Sequence, residues 1–138
     1  MRFVHLANLM QSWGWKINHD QYIQFSDYLK EMLGMDRVFI VMDGDVIIAI
    51  CFYYLTNDYE TLYKKSTWAV VKDDPSGHQI YIDKLVCSKW TKLVRIAVQK
   101  AIQEKFPQVA EAYYHRAPKD RCVKIIRKDI YELQGSIS

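Results

Sequence analysis

Asp83 stands in the run QIYIDKLVC, residues 79–87, where most neighbours are apolar. A carboxylate in such a strand is costly unless it is paired, hydrogen-bonded or opens on a cleft. It reads either as a base or histidine-orienting group, or as an aspartate on a solvated face or the ion-pair partner of Lys84 or Arg95. His19, in Asn18-His19-Asp20, offers a neutral imidazole near pH 7. Such a ring can take a proton from an incoming amine or act as a nucleophile; the alternative is a surface histidine in a loop. Lys89, Trp90, Lys92 and Arg95 occupy a strand–loop–helix junction. Cations there oppose the helix macrodipole, whereas a phosphate would satisfy both the dipole and the side chains. A solvated basic helix face is the competing reading. Finally, Arg116, Lys119, Arg121, Lys124, Arg127 and Lys128 follow Tyr113 and Tyr114. That strip suits contact with nucleic-acid phosphates and bases, or protects an edge hairpin from aggregation.

These residues must be positioned by elements that the apolar spacing predicts. Phe3, Leu6, Met10 and Trp13 share the face of a short N-terminal helix. Asp20 is the expected N-cap of a second helix, with Tyr22, Phe25, Leu29 and Met32/Leu33 at helical spacing and Gly34 as its C-cap. Two β-branched, aromatic-rich runs flank Asp43-Gly44 and predict a hairpin. The polar segment 56–66 is ambiguous. WAVVK and HQIYIDKLV are expected as two strands around DDPSG. In the second of them, alternation puts Tyr81, Asp83 and Leu85 on one face and Ile80, Ile82 and Val86 on the other. Helical period returns from about Thr91 and stops at Pro107. A strand over 109–116, the turn 117–121 and a last strand complete the chain.

The resulting order, α-α-β-β-β-β-α-β-β, predicts an α/β (α+β) domain spanning residues 1–138. Its sheet is mostly antiparallel, with one parallel pair, strands 79–87 and 109–116, joined by a helix in a right-handed crossover.

Composition narrows the classes. The chain has 138 residues and half of them are apolar, which argues for a packed core and against disorder. The net charge of +3 selects neither nucleic acid nor membrane. No apolar run has the length of a membrane span, and the first residues do not read as a signal peptide. Cys51, Cys87 and Cys122 lie in apolar segments without metal-ligand spacing, as expected of reduced thiols in a cytoplasmic protein. A nucleophile elbow, a Walker loop, HExxH and a zinc-type cysteine pair are all missing from the sequence.

The element order over residues 1–131 resembles the Gcn5-related N-acetyltransferase (GNAT) fold. In that family the strand–loop–helix matching 79–106 binds the pyrophosphate of acetyl-CoA through a glycine-rich loop. This chain has Cys87-Ser88-Lys89-Trp90-Thr91-Lys92-Leu93-Val94 instead. Without glycine, backbone N–H groups cannot approach a phosphate as closely. The helix that the family places after its next strand is here replaced by a short turn. Two branches share such losses. Toxin-activating acyltransferases take a fatty acyl group from acyl carrier protein, and certain phage proteins with GNAT-like folds have no demonstrated activity. Tyr81-Ile82-Asp83-Lys84 resembles the strand that carries the catalytic aspartate of the first branch, and Asn18-His19-Asp20 is similar to the site of its histidine. The resemblance implies an acyltransferase using acetyl-CoA or acyl carrier protein, with Asp83 and His19 in proton transfer and Lys89, Trp90, Lys92 and Arg95 at the donor. It equally implies an inactive interaction or structural protein acting through a protein partner. Nucleic-acid binding by the 115–128 strip is a third expectation, read from the basic residues themselves.

Overall fold

A computed structural model describes residues 3–15, 19–65, 68–89, 91–116 and 121–126. Helix α1 (Phe3–Ser12) is followed by a 3-10 turn (His19–Gln21) and helix α2 (Tyr22–Gly34). Strands β1 (Val38–Asp43) and β2 (Val46–Thr56) come next, then a short helix α3 (Tyr59–Tyr63) and strand β3 (Gln79–Cys87). Helix α4 (Lys92–Lys105) and strands β4 (Glu111–Arg116) and β5 (Arg121–Ile126) follow. The sheet order is β1-β2-β3-β4-β5, with β3 and β4 parallel and every other pair antiparallel. The expected mixed sheet with a helix joining its one parallel pair is therefore present.

Alternation along β2 divides the core. Ile50, Phe52 and Tyr54 pack towards α1 and α2, against Leu6, Met10, Phe25, Tyr28, Leu29 and Met32. Cys51, Tyr53 and Leu55 pack with Val98, Ile102 and Phe106 of α4 and its C-terminal end. A strand flanked by helices on both faces must be apolar at successive positions, and residues 47–56 contain little else.

Several boundaries differ from expectation. The strand predicted at WAVVK does not form; among the described residues, 68–72 are irregular. Trp68, Val70 and Val71 pack on the α1/α2 side of the core instead. β1 leaves β2 after Val38↔Phe52, so the last residues of β2 need other partners. Asp73 supplies one: its Oδ1 accepts the Leu55 N–H at 2.8 Å, while the Asp74 N–H donates to the Leu55 carbonyl at 3.0 Å. The Asp73 carboxylate is also gripped by Arg37, through Nε at 2.8 Å and Nη2 at 2.7 Å. A side chain thus takes the place of a ladder. At Gly77 the chain passes so close to Thr56 that an added Cβ would lie 2.6 Å from the Thr56 backbone.

At the end of α2 the left-handed residue is Asp36 (φ 57°), not Gly34, and the Arg37 N–H closes the turn on the Met32 carbonyl at 3.0 Å. A short polar side chain tolerates this region better than most non-glycine residues. Asp20 lies inside the 3-10 turn and does not cap α2; Gln21 occupies the cap position without a side-chain bond. The ambiguous segment after β2 contributes α3, capped by Asp58.

Candidate functional site

The strand carrying Asp83 is irregular at that residue. In the β2–β3 ladder Phe52 pairs with Lys84 and Tyr53 with Ile82, so Asp83 has no ladder partner. This bulge breaks the alternation expected from the sequence. Tyr81 and Val86 join the α1/α2 side of the core, whereas Ile80, Ile82 and Leu85 join the α4 side. Leu85 and Val86 have exchanged the faces that strict alternation assigned them. A bulge inserts one residue and re-aims its neighbours. Here it directs two successive side chains, Asp83 and Lys84, to the α2 face.

There they form a compact charged cluster. Oδ2 of Asp83 accepts from the Tyr28 hydroxyl at 2.6 Å, from Lys65 Nζ at 2.9 Å and from Lys84 Nζ at 3.1 Å. The side chains of Asp83, Lys65 and Lys84 are only 6%, 5% and 7% exposed. Lys84 Nζ also lies 4.5 Å from the centre of the Tyr28 ring and 4.9 Å from that of Trp68. Two lysines share one carboxylate, which leaves the group one positive charge in excess when all are ionised. Burial, reinforced by the charge of Lys65, brings the Lys84 ammonium down to about 8 despite the pull of Asp83. Burial and the Asp83 charge push the Tyr28 hydroxyl far above the usual tyrosine range, so it stays a donor. The same two influences raise the buried Cys51 thiol.

An open cleft of about 580 Å³ adjoins the cluster, lined by Gln21, Gln24, Asp27, Tyr28, Glu31 and the segment Trp68–Val70. Tyr28 and Trp68 thus belong both to the cleft and to the lysine-bearing cluster. Trp68 is the hub of an aromatic group, with Phe25, Tyr28 and Trp15 at centroid distances of 5.3, 5.5 and 5.5 Å. Its indole Nε1 is buried with no hydrogen-bond partner among the described residues.

The parallel ladder is shorter than its strands. It runs only from Gln79↔Glu111 to Ile82↔Tyr114, although β3 continues to Cys87 and β4 to Arg116. Asp83 is the first residue of β3 beyond this ladder. At the far end of β3, α4 begins after Thr91, whose hydroxyl accepts the Val94 N–H at 3.2 Å. Lys89 and Lys92 are exposed and Arg95 is half-buried. The first turn of α4 contains no acidic residue to offset the dipole. Leu93 is 66% exposed, and Val94 is turned into the core.

The structure therefore brings Asp83 to Lys84, one of the two cations named as its alternative partners. Arg95 is not among the described contacts of Asp83. His19 opens the 3-10 turn before α2, but its side chain, with Trp90, Lys119, Arg127 and Lys128, lies outside the described residues. The backbone of the basic strip forms β4 and β5 and sets Arg116 opposite Arg121 and Tyr113 opposite Lys124. Among the described residues no group of three His, Cys, Asp or Glu is arranged to hold a metal, and no helix is long and apolar enough to cross a membrane. Reading the sequence by motif missed Tyr28 and Lys65. Tyr28 carried a usable signal: it shares the apolar face of Phe25, Leu29 and Met32, where a hydroxyl requires a partner. Lys65 carried none, because its segment has no periodicity.

No family model matches the chain, and no curated protein is similar to it by sequence.

Proposed function

We propose that this is a divergent GNAT-like acyltransferase whose acyl donor is a phosphopantetheine thioester, borne by a carrier protein or by coenzyme A. The observation that supports this reading best is the short parallel ladder: the pairing of two parallel strands, joined through a helix, ends at Ile82, directly before Asp83. Where a ladder ends, backbone N–H and C=O groups become available, and an extended, amide-bearing arm can bond to them as a strand would. In this reading the arm enters beyond Ile82 and Tyr114. Its phosphate lies towards Lys89, Lys92 and Arg95 at the start of α4, where side-chain charge and helix dipole both favour an anion. With no glycine between Cys87 and Thr91, binding draws on these side chains more than on close backbone approach.

Transfer consists of attack by an acceptor nucleophile on the thioester carbonyl, with the new acyl bond formed as the C–S bond breaks. The nucleophile's proton leaves to a base and the departing thiolate takes one up. The assigned proton carriers are Asp83 and His19. Lys84, with its pKa near 8, and Tyr28 add donors that hold the Asp83 carboxylate in place. The cleft beside Tyr28 and Trp68 is where an acceptor would approach.

Native mass spectrometry with acetyl-CoA and with acylated carrier protein tests the donor. A one-to-one complex with either, accompanied by a higher melting temperature at saturation, is the expected result. Absence of both complexes would remove the enzyme reading.

A second reading has an observation of its own. The Asp83 carboxylate already receives a hydroxyl and two ammonium groups and is almost wholly buried. A structural counter-ion would have the same environment, as in a GNAT-like protein that has lost catalysis and works by contact with a protein partner. Fold alone does not choose between them; the binding experiment does.

A further inference from the structure

The open cleft of about 580 Å³ beside the buried cluster is built from two unlike walls. One is α2, on which Gln24, Asp27 and Glu31 follow at steps of three and four residues. Such spacing keeps them on one face, as a stripe about 10 Å long. The other wall is the segment from Trp68 to Val70, which belongs to no helix or strand. A helix stripe faced by a run of backbone gives an opening about as long as three extended residues.

The charge of the cleft is one-sided. Asp27 and Glu31, both exposed, are the charged residues of its lining, and no cation stands among them. Tyr28 and Trp68 add aromatic surface. Lys65, Asp83 and Lys84 do not line the cleft, but their one positive charge in excess lies close to those rings. A bound cation is therefore held at the α2 rim and not further in.

These features select an occupant. A phosphate chain would meet two carboxylates and no cation, so nucleic acid is disfavoured. A metal lacks its ligands, since among the described residues no three His, Cys, Asp or Glu are arranged to hold one. A peptide with a cationic side chain suits both walls. Its charge goes to Asp27 and Glu31, and its backbone lies beside residues 68–70, whose peptide groups stand outside every ladder. Guanidinium fits better than ammonium, because its planar fork serves carboxylates in pairs of bonds and stacks on aromatic rings.

We propose that the cleft between α2 and residues 68–70 docks an arginine-bearing segment of a partner protein, with the guanidinium held by Asp27 and Glu31. The inference rests on the cleft and not on acyl transfer. It holds for a protein acceptor and for a contact partner alike.

The test is a titration of isotope-labelled protein with the blocked pentapeptide Ala-Ala-Arg-Ala-Ala, followed by amide NMR shifts. Saturable shifts should concentrate in residues 21–31 and 68–70, which form the cleft. A peptide with citrulline for arginine keeps the shape without the charge and should bind at least about tenfold more weakly. The arginine peptide should lose as much on Asp27→Asn/Glu31→Gln, whose melting temperature should stay near that of wild type because both sites are exposed. Each single variant should show part of that loss, and the pair carries the test if the double variant folds poorly. Equal affinity for the citrulline peptide, or unchanged affinity in the variants, would overturn the proposal. So would a failure to saturate below about 10 mM peptide, or shifts centred outside the cleft. A lysine peptide that binds as tightly would show that the site reads charge alone, and would refute the arginine assignment. Binding of acetyl-CoA or carrier protein is measured separately, so the donor reading stands or falls independently of these results.

Discussion

At the scale of single residues, Asp83 holds more together than a strand aspartate ordinarily would. Its carboxylate is shared by Lys65, Lys84 and the Tyr28 hydroxyl. Removing that charge takes a common counter-ion from two buried ammonium groups. Asp83→Asn should therefore cost about 3–5 kcal/mol of stability, read by urea denaturation at pH 7. A loss below about 1 kcal/mol would mean that water reaches the cluster freely. Lys84 makes the opposite case. Its pKa falls from the ordinary lysine value to about 8 on folding, so between pH 8 and about 10 the unfolded chain binds more protons than the native one. By linkage, stability attributable to Lys84 rises with pH across that window and is lost as pH falls through 8. Above about pH 10 the raised pKa values of Tyr28 and Tyr54 act in the other direction, because unfolded tyrosine then loses its proton first. Lys84→Met, which leaves the Asp83–Lys65 pair intact, should flatten the pH 8–10 rise by about 2 kcal/mol. Denaturation curves at pH 7, 8, 9 and 10 for both proteins measure this.

At the scale of elements, strong periodicity was legible and its interruptions were not. The Asp43-Gly44 hairpin, the presence of α4 and its stop before Pro107 all follow from local chemistry visible in the residues. The bulge at Asp83 does not: Tyr81-Ile82-Asp83-Lys84-Leu85-Val86 alternates acceptably on paper. Only pairing with β2 on one side and the end of the ladder with β4 on the other reveal the extra residue. The same holds for 68–72, whose β-branched residues satisfy strand propensity but lose to packing by Trp68 and to the clamp at Asp73. That clamp gives a prediction. Asp73→Ala strips the Leu55 N–H and the Arg37 guanidinium of their partner together, which should cost about 2–3 kcal/mol by thermal or chemical denaturation. It should also raise amide exchange selectively in residues 68–78. Uniform exchange with an unchanged melting temperature would show that the segment is held by its apolar side chains alone.

At the scale of the whole molecule, the parallel pair was legible because helix and strand periods alternate cleanly from residue 79 onwards, whereas the antiparallel part was read with one strand too many, at 68–72. The site was legible only in part. Asp83 stood out as a charge among apolar neighbours, but its partners Tyr28 and Lys65 come from elements 55 and 18 residues away in sequence, a distance over which no spacing rule operates. The end of the parallel ladder, the Asp83–Lys84 pair and the start of α4 lie along one β3–α4 unit, which the proposed function assigns to an acyl donor. Amide hydrogen exchange with and without saturating donor, acetyl-CoA in one series and acylated carrier protein in the other, tests this most directly. The account predicts slower exchange in residues 83–87 and 91–95 with the cognate donor, while β1 is unaffected. Exchange that stays the same throughout β3 and α4 with both donors would contradict it.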